Sequence, residues 1–300
     1  MAGRVAVGCS RLLALLGGLG LASLGACKAK PKPEPVSVGS VELPAPIASA
    51  LPIDPKRISA AVNPKGEPPY AGPTGTISGV ITIAGDEAPD SPEVLAQIPA
   101  DCTAAKSFYG KLFREGPGRT LADVVVGVTG YEGYLPEDAP AVMADANGCA
   151  WSSRTYVLTF GQTLDVRSRD SRPYVPDLMG AHLKAQLVAV PRGDAIHLYP
   201  EQPGRYQLTD SMRLFMLAEV LVVKFPTHAV TGLDGRYVIA HVPVGKVRVS
   251  ALLPANMSQT EKDVEVHAGE LVDVPLTLRF DRKEWDSKRG PVAAPAASAH

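Results

Sequence analysis

The feature that most constrains this chain is a recurrence of short β-branched and aromatic runs, each closed off by glycine, proline or aspartate. T-I-S-G-V-I-T-I (76–83), A-D-V-V-V-G-V (122–128), Y-V-L-T-F (156–160), T-L-D-V-R-S (163–168), A-I-H-L-Y (195–199), R-Y-Q-L-T (205–209) and E-V-L-V-V-K-F (219–225) all have this form. R-Y-V-I-A, K-V-R-V-S-A-L, D-V-E-V-H and V-D-V-P-L-T-L-R-F follow. Branched and aromatic side chains suit a pleated, half-buried surface, so these runs read as strands. In T-L-D-V-R-S the alternation puts Leu164 and Val166 on one face and Asp165 and Arg167 on the other, as a half-buried strand requires. With turns at Gly-Gln, Pro-Gly, Asp-Gly and Val-Gly, the pattern predicts an all-β sandwich fold. Helix is scarce: E-V-L-A-Q-I (93–98) is the best candidate, and L-F-M-L-A (214–218) reads either way.

The two ends differ from this middle. Arg4 and Arg11 flank L-L-A-L-L-G-G-L-G-L-A-S-L (12–24), an apolar run too short to span a bilayer comfortably. It ends in Leu24-Gly25-Ala26-Cys27, which resembles a bacterial lipobox. The resemblance implies a signal peptide over 1–26 and a diacylglycerol on Cys27, anchoring the chain to a membrane in the cell envelope; the other reading is an ordinary cleaved signal with Cys27 incidental. Lys28, rather than Asp, after the cysteine points to the outer membrane. Proline recurs from K-A-K-P-K-P-E-P to Pro73, which favours extended chain over a packed core; 27–73 therefore reads as a tether. Residues 281–300, ending P-V-A-A-P-A-A-S-A-H, read as a disordered tail.

Export shapes the cysteine arithmetic. Cys9 leaves with the signal and Cys27 carries lipid, leaving Cys102 and Cys149. In an oxidising compartment a disulfide is the default for that pair, with two separate buried thiols as the alternative that their spacing leaves open. Neither has a second Cys or a His at metal-ligand spacing. A net charge of −1 without a basic stripe gives no electrostatic footprint for nucleic acid. No nucleophile elbow, zinc-protease helix or phosphate-binding glycine loop is present, and His182, His197, His228, His241, His267 and His300 are scattered. Asp234-Gly235 reads as a hairpin turn rather than a calcium loop, and Asp86, Glu87 and Asp90 as solvated surface.

Three stretches together carry a family resemblance. G-T-I-S-G-V-I-T-I-A-G, I-P-A-D-C-T-A-A-K and R-T-L-A-D-V-V-V-G-V resemble the opening of plastocyanin-like periplasmic proteins of the methylamine-utilisation type. C-A-W-S-S-R-T-Y-V-L-T-F-G-Q-T-L-D-V-R-S-R-D is similar to that family's Cys-x-aromatic segment, strand, Gly-Gln and second strand. P-T-H-A-V-T-G-L-D-G-R-Y-V-I-A-H-V-P-V-G-K-V-R-V resembles a carboxypeptidase regulatory-like, transthyretin-type module. The resemblance implies a cupredoxin-like Greek-key sandwich over 74–223 followed by a small transthyretin-like sandwich over 224–280.

The same resemblance implies four copper-ligand positions, and at three of them the family's ligand is gone. The first falls on Tyr174; the later loop D-S-M-R-L-F-M puts Asp210 where Cys would stand, Arg213 where His would stand, and Met216 at the Met position. A blue-copper centre needs a thiolate and two imidazoles, and a fixed guanidinium opposes a bound cation. The expectation is therefore a lost copper site, no cofactor, and a non-catalytic lipid-anchored adaptor that binds another envelope protein or a glycan. The alternative is a metal-handling or electron-transfer protein with a rearranged site built from Met179, His182, Met212 and Met216.

Overall fold

Residues 51–181 and 186–289, which the computed structural model describes, form an all-β structure of four four-stranded sheets. In chain order the strands are β1 (Thr74–Gly85), β2 (Val125–Thr129), β3 (Ala141–Asn147), β4 (Ala150–Trp151), β5 (Thr155–Thr159), β6 (Thr163–Ser168), β7 (Pro176–Met179) and β8 (Ile196–Leu198). There follow β9 (Gly204–Asp210), β10 (Arg213–Val223), β11 (His228–Val230), β12 (Arg236–Pro243), β13 (Gly245–Leu253), β14 (Ser258–Val266), β15 (Leu271–Asp273) and β16 (Leu276–Phe280). The sandwich fold expected from the strand pattern is present.

The sheets do not divide at 223/224. β1 pairs antiparallel with β12 and parallel with β15 and β16, and β2 lies between β11 and β13, with β14 on the far side of β13. The two earliest strands thus join the last six in one sandwich, here the frame. Its core holds Ile77, Ile81, Val126, Tyr237, Val249 and Leu278. β1 alternates buried and half-exposed positions along most of its length, so a single apolar face specifies its burial but not its partners. The intervening strands form the insert: sheets β5-β10-β9-β7 and β4-β3-β6-β8 enclose Trp151, Leu158, Leu164, Tyr174, Leu208 and Met216. The expected boundaries of 74–223 and 224–280 are corrected accordingly. Asp234-Gly235 is a turn, with Gly235 at φ 68°, but it links strands of two different sheets rather than a hydrogen-bonded hairpin.

Both expected tails carry structure. Helix α1 (Pro55–Val62) is started by the Asp54 carboxylate, which accepts from Lys56 N–H at 2.9 Å, with Pro55 in the first turn. Ile58, Ala61 and Val62 pack on the insert core, and Tyr70 N–H donates to Tyr134 O at 2.7 Å. The tether reading therefore fails over 51–73. At the other end, helix α4, Arg282–Arg289, begins where Arg282 N–H meets the Asp86 carboxylate at 2.8 Å, and Trp285 packs on the frame core. The disordered-tail reading fails through residue 289. Residues 1–50, with Cys27, lie outside the described residues. The remaining helices are short: α2, Pro92–Leu95, overlaps only the first half of the expected helical stretch 93–98, and α3, Thr103–Tyr109, has no counterpart among the expected elements. The ambiguous L-F-M-L-A segment is strand, within β10.

Candidate functional site

The β9–β10 hairpin turns at Ser211-Met212, and Asp210 and Arg213 pair across it. The fully buried Asp210 carboxylate accepts from Met212 N–H at 3.0 Å and, across to the β6–β7 loop, from Val175 N–H at 2.7 Å. The first contact is the local turn that aspartate favours; the second ties the hairpin to the neighbouring loop. Arg213 Nη1 lies 3.4 Å from Asp210 Oδ1 and donates to Pro173 O at 3.2 Å, and its guanidinium stands 4.9 Å from the centre of the Tyr174 ring. That distance is within reach of a cation–π contact.

Tyr174 extends this arrangement to the disulfide. Cys102 and Cys149 are bonded. Gly148 and Cys149 both have positive φ, 60° and 62°, in the two-residue turn joining β3 to β4, a twist that fits hairpin strands. The buried Tyr174 hydroxyl accepts from Cys149 N–H at 3.2 Å and donates to Asp170 Oδ2 at 2.9 Å. Burial pushes the Tyr174 phenol up to about 12. Burial acts to raise the Asp170 carboxyl, but N–H donors from Arg172 and Gly148, the Tyr174 hydroxyl and the Arg172 charge outweigh it and hold the group below its ordinary range.

Tyr174, Asp210 and Arg213 are thus gathered at one end of the insert, with Arg213 touching the other two and each tied to surrounding groups. Met216 sits deeper. A register irregularity between Arg213 and Leu217 turns both Phe215 and Met216 inward, as a bulge does, and Met216 O accepts from Trp151 Nε1 at 3.1 Å. The three methionines of the proposed soft-metal set do not share one environment among the described residues. Met212 is exposed at the hairpin tip while the Met216 side chain is fully buried. Met179 is three positions along β7 from Pro176, the partner of Asp210, about 10 Å at strand rise. His182 lies outside the described residues. Among the described residues no three His, Cys, Asp or Glu side chains come together to hold a metal ion.

Two other histidines, His197 and His228, have ordinary partners. His197 Nδ1 lies 2.7 Å from Asp165 Oδ1. His228 Nε2 is 3.0 Å from Thr159 Oγ1, which donates to Glu137 Oε2 at 2.7 Å, where frame meets insert. Burial lowers the His228 pKa, with the Glu137 charge opposing.

A charged joint between the sandwiches had no signal in the sequence. Arg114 grips Asp123 with both arms of its fork, at 2.7 and 2.6 Å, and stacks over Phe108 at 4.2 Å. Asp123 Oδ1 also accepts from Arg154 N–H at 3.0 Å and Ser153 Oγ at 3.2 Å, so residues just before β2 hold those just before β5. Asp123 itself adopts φ 65°. Its partners are scattered along the chain, and nothing in their local spacing marks them as neighbours.

No protein-family model matches the chain, and no curated protein does. Among solved structures, the chain is similar over 29% of its length to amicyanin from Paracoccus versutus (Thiobacillus versutus), at 15% identity, covering 84% of that chain with a TM-score of 0.25. A reduced mutant amicyanin gives 20% identity over 29% of this chain and 85% of that one, and another gives 18% over 32% and 98%, each with a TM-score of 0.25. At this level of identity and superposition the likeness assigns neither a family nor a ligand.

Proposed function

We propose that this chain is a lipid-anchored envelope protein that acts by binding, not by catalysis or electron transfer. The observation that supports this reading is the filled end of the insert. At the positions where the sequence resemblance would put copper ligands, Arg213 pairs with Asp210 and stands over the Tyr174 ring, the Tyr174 hydroxyl is held by Cys149 and Asp170, and Arg213 brings a permanent positive charge to the place a cation would occupy. The partner is another envelope component, protein or glycan, and anchoring is through Cys27, with Lys28 favouring the outer membrane. In this reading the insert is cupredoxin-like and the frame strands from 224 onward are transthyretin-like, each resting on its sequence resemblance, while β1 and β2, which carry part of the cupredoxin-like resemblance, pair with the frame.

Two measurements test it. A copper competition titration of the full chain is expected to show no stoichiometric binding; tight one-to-one binding overturns the reading. In cells, Cys27→Ser is expected to move the protein from the membrane to the soluble fraction, since a lipid chain contributes about 0.8 kcal/mol per buried CH₂; unchanged retention refutes the anchor.

A further inference from the structure

A cleft of about 390 Å³ opens between the frame and the insert. Part of its wall is apolar, with Val94, Leu214 and Leu217 from the insert and Leu253, Ala255 and Trp285 from the frame, and the rest is polar or charged, with Glu93, Asp123, Arg154, Arg205 and Glu219. Leu214 is 71% exposed at the mouth. The volume lies within the span of small-ligand sites, about 300 to 1,000 Å³.

The charges around the cleft are matched with one exception inside it. Arg205 pairs with Glu219 at 2.7 Å, and the Arg114 fork engages both oxygens of Asp123. Arg154 lines the cleft with no carboxylate partner among the described residues; its guanidinium donates only to the carbonyls of Lys111 and Leu112, at 2.8 and 3.0 Å. Burial lowers its pKa, the Asp123 charge offsets this in part, and Arg114 adds to the lowering. Glu93 stands exposed on the rim, where water screens it. A cation beside an apolar wall, held by two carbonyls and offset only in part by the Asp123 charge, is suited to a singly charged anion with an apolar body.

We infer that this cleft binds a fatty-acid-like monocarboxylate, with Arg154 taking the head group and the leucine-lined walls taking the tail. The inference deepens the binding-protein reading and rests on it. It names a ligand class, and the anchor and copper tests can succeed while it fails.

The experiment uses the full chain carrying Cys27→Ser, so that no detergent competes for the cleft. Dodecanoate and dodecyltrimethylammonium, which share a tail and differ in charge, are titrated below micelle formation while tryptophan emission is followed. Trp285 lines the cleft, whereas Trp151 is buried in the insert core, and Trp285→Phe is expected to abolish the signal without abolishing calorimetric binding. Dodecanoate is expected to bind saturably, one per chain, and at least about tenfold tighter than the cationic analogue. Arg154→Gln is expected to erase that preference. Leu214→Glu, at an exposed position the fold tolerates, is expected to weaken dodecanoate by about tenfold or more. Equal affinity for the two amphiphiles, absence of saturable binding, or indifference to Leu214→Glu overturns the inference. These readouts decide it even if Arg154→Gln fails to fold for want of its carbonyl contacts.

Discussion

Removing the charge of Asp123 tests whether the two sandwiches are held by the joint at their contact. Asp123→Asn keeps an acceptor for Arg154 N–H and Ser153 and tolerates the left-handed backbone at φ 65°. What it takes away is the anion between the arms of Arg114, replacing part of it with an amide that offers hydrogens to a donor. The Arg114 and Asp123 side chains are 16% and 6% exposed, so little water replaces the lost partner. Stranding one member of a buried pair costs about 3 to 5 kcal/mol; the residual exposure of Arg114 and its stacking on Phe108 place the expected loss near the lower end, about 3 kcal/mol. The assay is urea unfolding of the full chain, read separately through Trp151 in the insert and Trp285 on the frame. The variant is expected to lower the midpoint and to separate the two transitions. Arg114→Met in the Asp123→Asn background is expected to recover part of the loss, because an apolar side chain has no charge to strand. A loss under about 1 kcal/mol, or additive losses in the double variant, would refute the reasoning.

His228 has a folded-state pKa depressed by burial, so its contribution to stability is present above the unfolded value of about 6.5 and is lost as pH falls below it; the urea midpoint should drop between pH 7.5 and 5.5, and His228→Gln should flatten that dependence. Arg213→Ala leaves the buried Asp210 with its two main-chain donors but no cation, and is expected to cost about 1 to 3 kcal/mol by thermal unfolding without creating a copper site; an unchanged melting temperature would show that the pair is incidental. Replacing Cys102 and Cys149 by serine should remove roughly 2 to 4 kcal/mol, with intact mass before and after reduction confirming the bond in the parent chain.

The strand runs were legible because branched residues alternate with polar ones and end at turn residues, as T-L-D-V-R-S does in β6. β3 was not, since A-V-M-A-D-A-N is alanine-rich and its hairpin with β4 is declared only by the local Asn147-Gly148-Cys149 turn. Pairing was the larger loss. The face of β1 that carries Ile77 and Ile81 says that the strand is covered, and says nothing of β12 or β16 as its neighbours. Proline content misled at 51–73, where Pro55 starts a helix instead of preventing one. At the candidate site, Asp210 and Arg213 are close in sequence and stand at two of the ligand positions that the resemblance implies, whereas Arg114, Asp123 and Arg154 meet only through the fold.

The pairing of β1 with β12, β15 and β16 also sets an order of events during synthesis. The insert carries all its own strands in one continuous stretch and can close as soon as β10 has emerged. The frame cannot, because Ile77 must wait for Ile239 and Val272. Until the last strands arrive, β1 and β2 remain as unpaired edges with an apolar face, open to wrong partners. A fragment ending near residue 223 would keep them in that state permanently, and the place to shorten this protein safely is therefore not between its two halves in sequence.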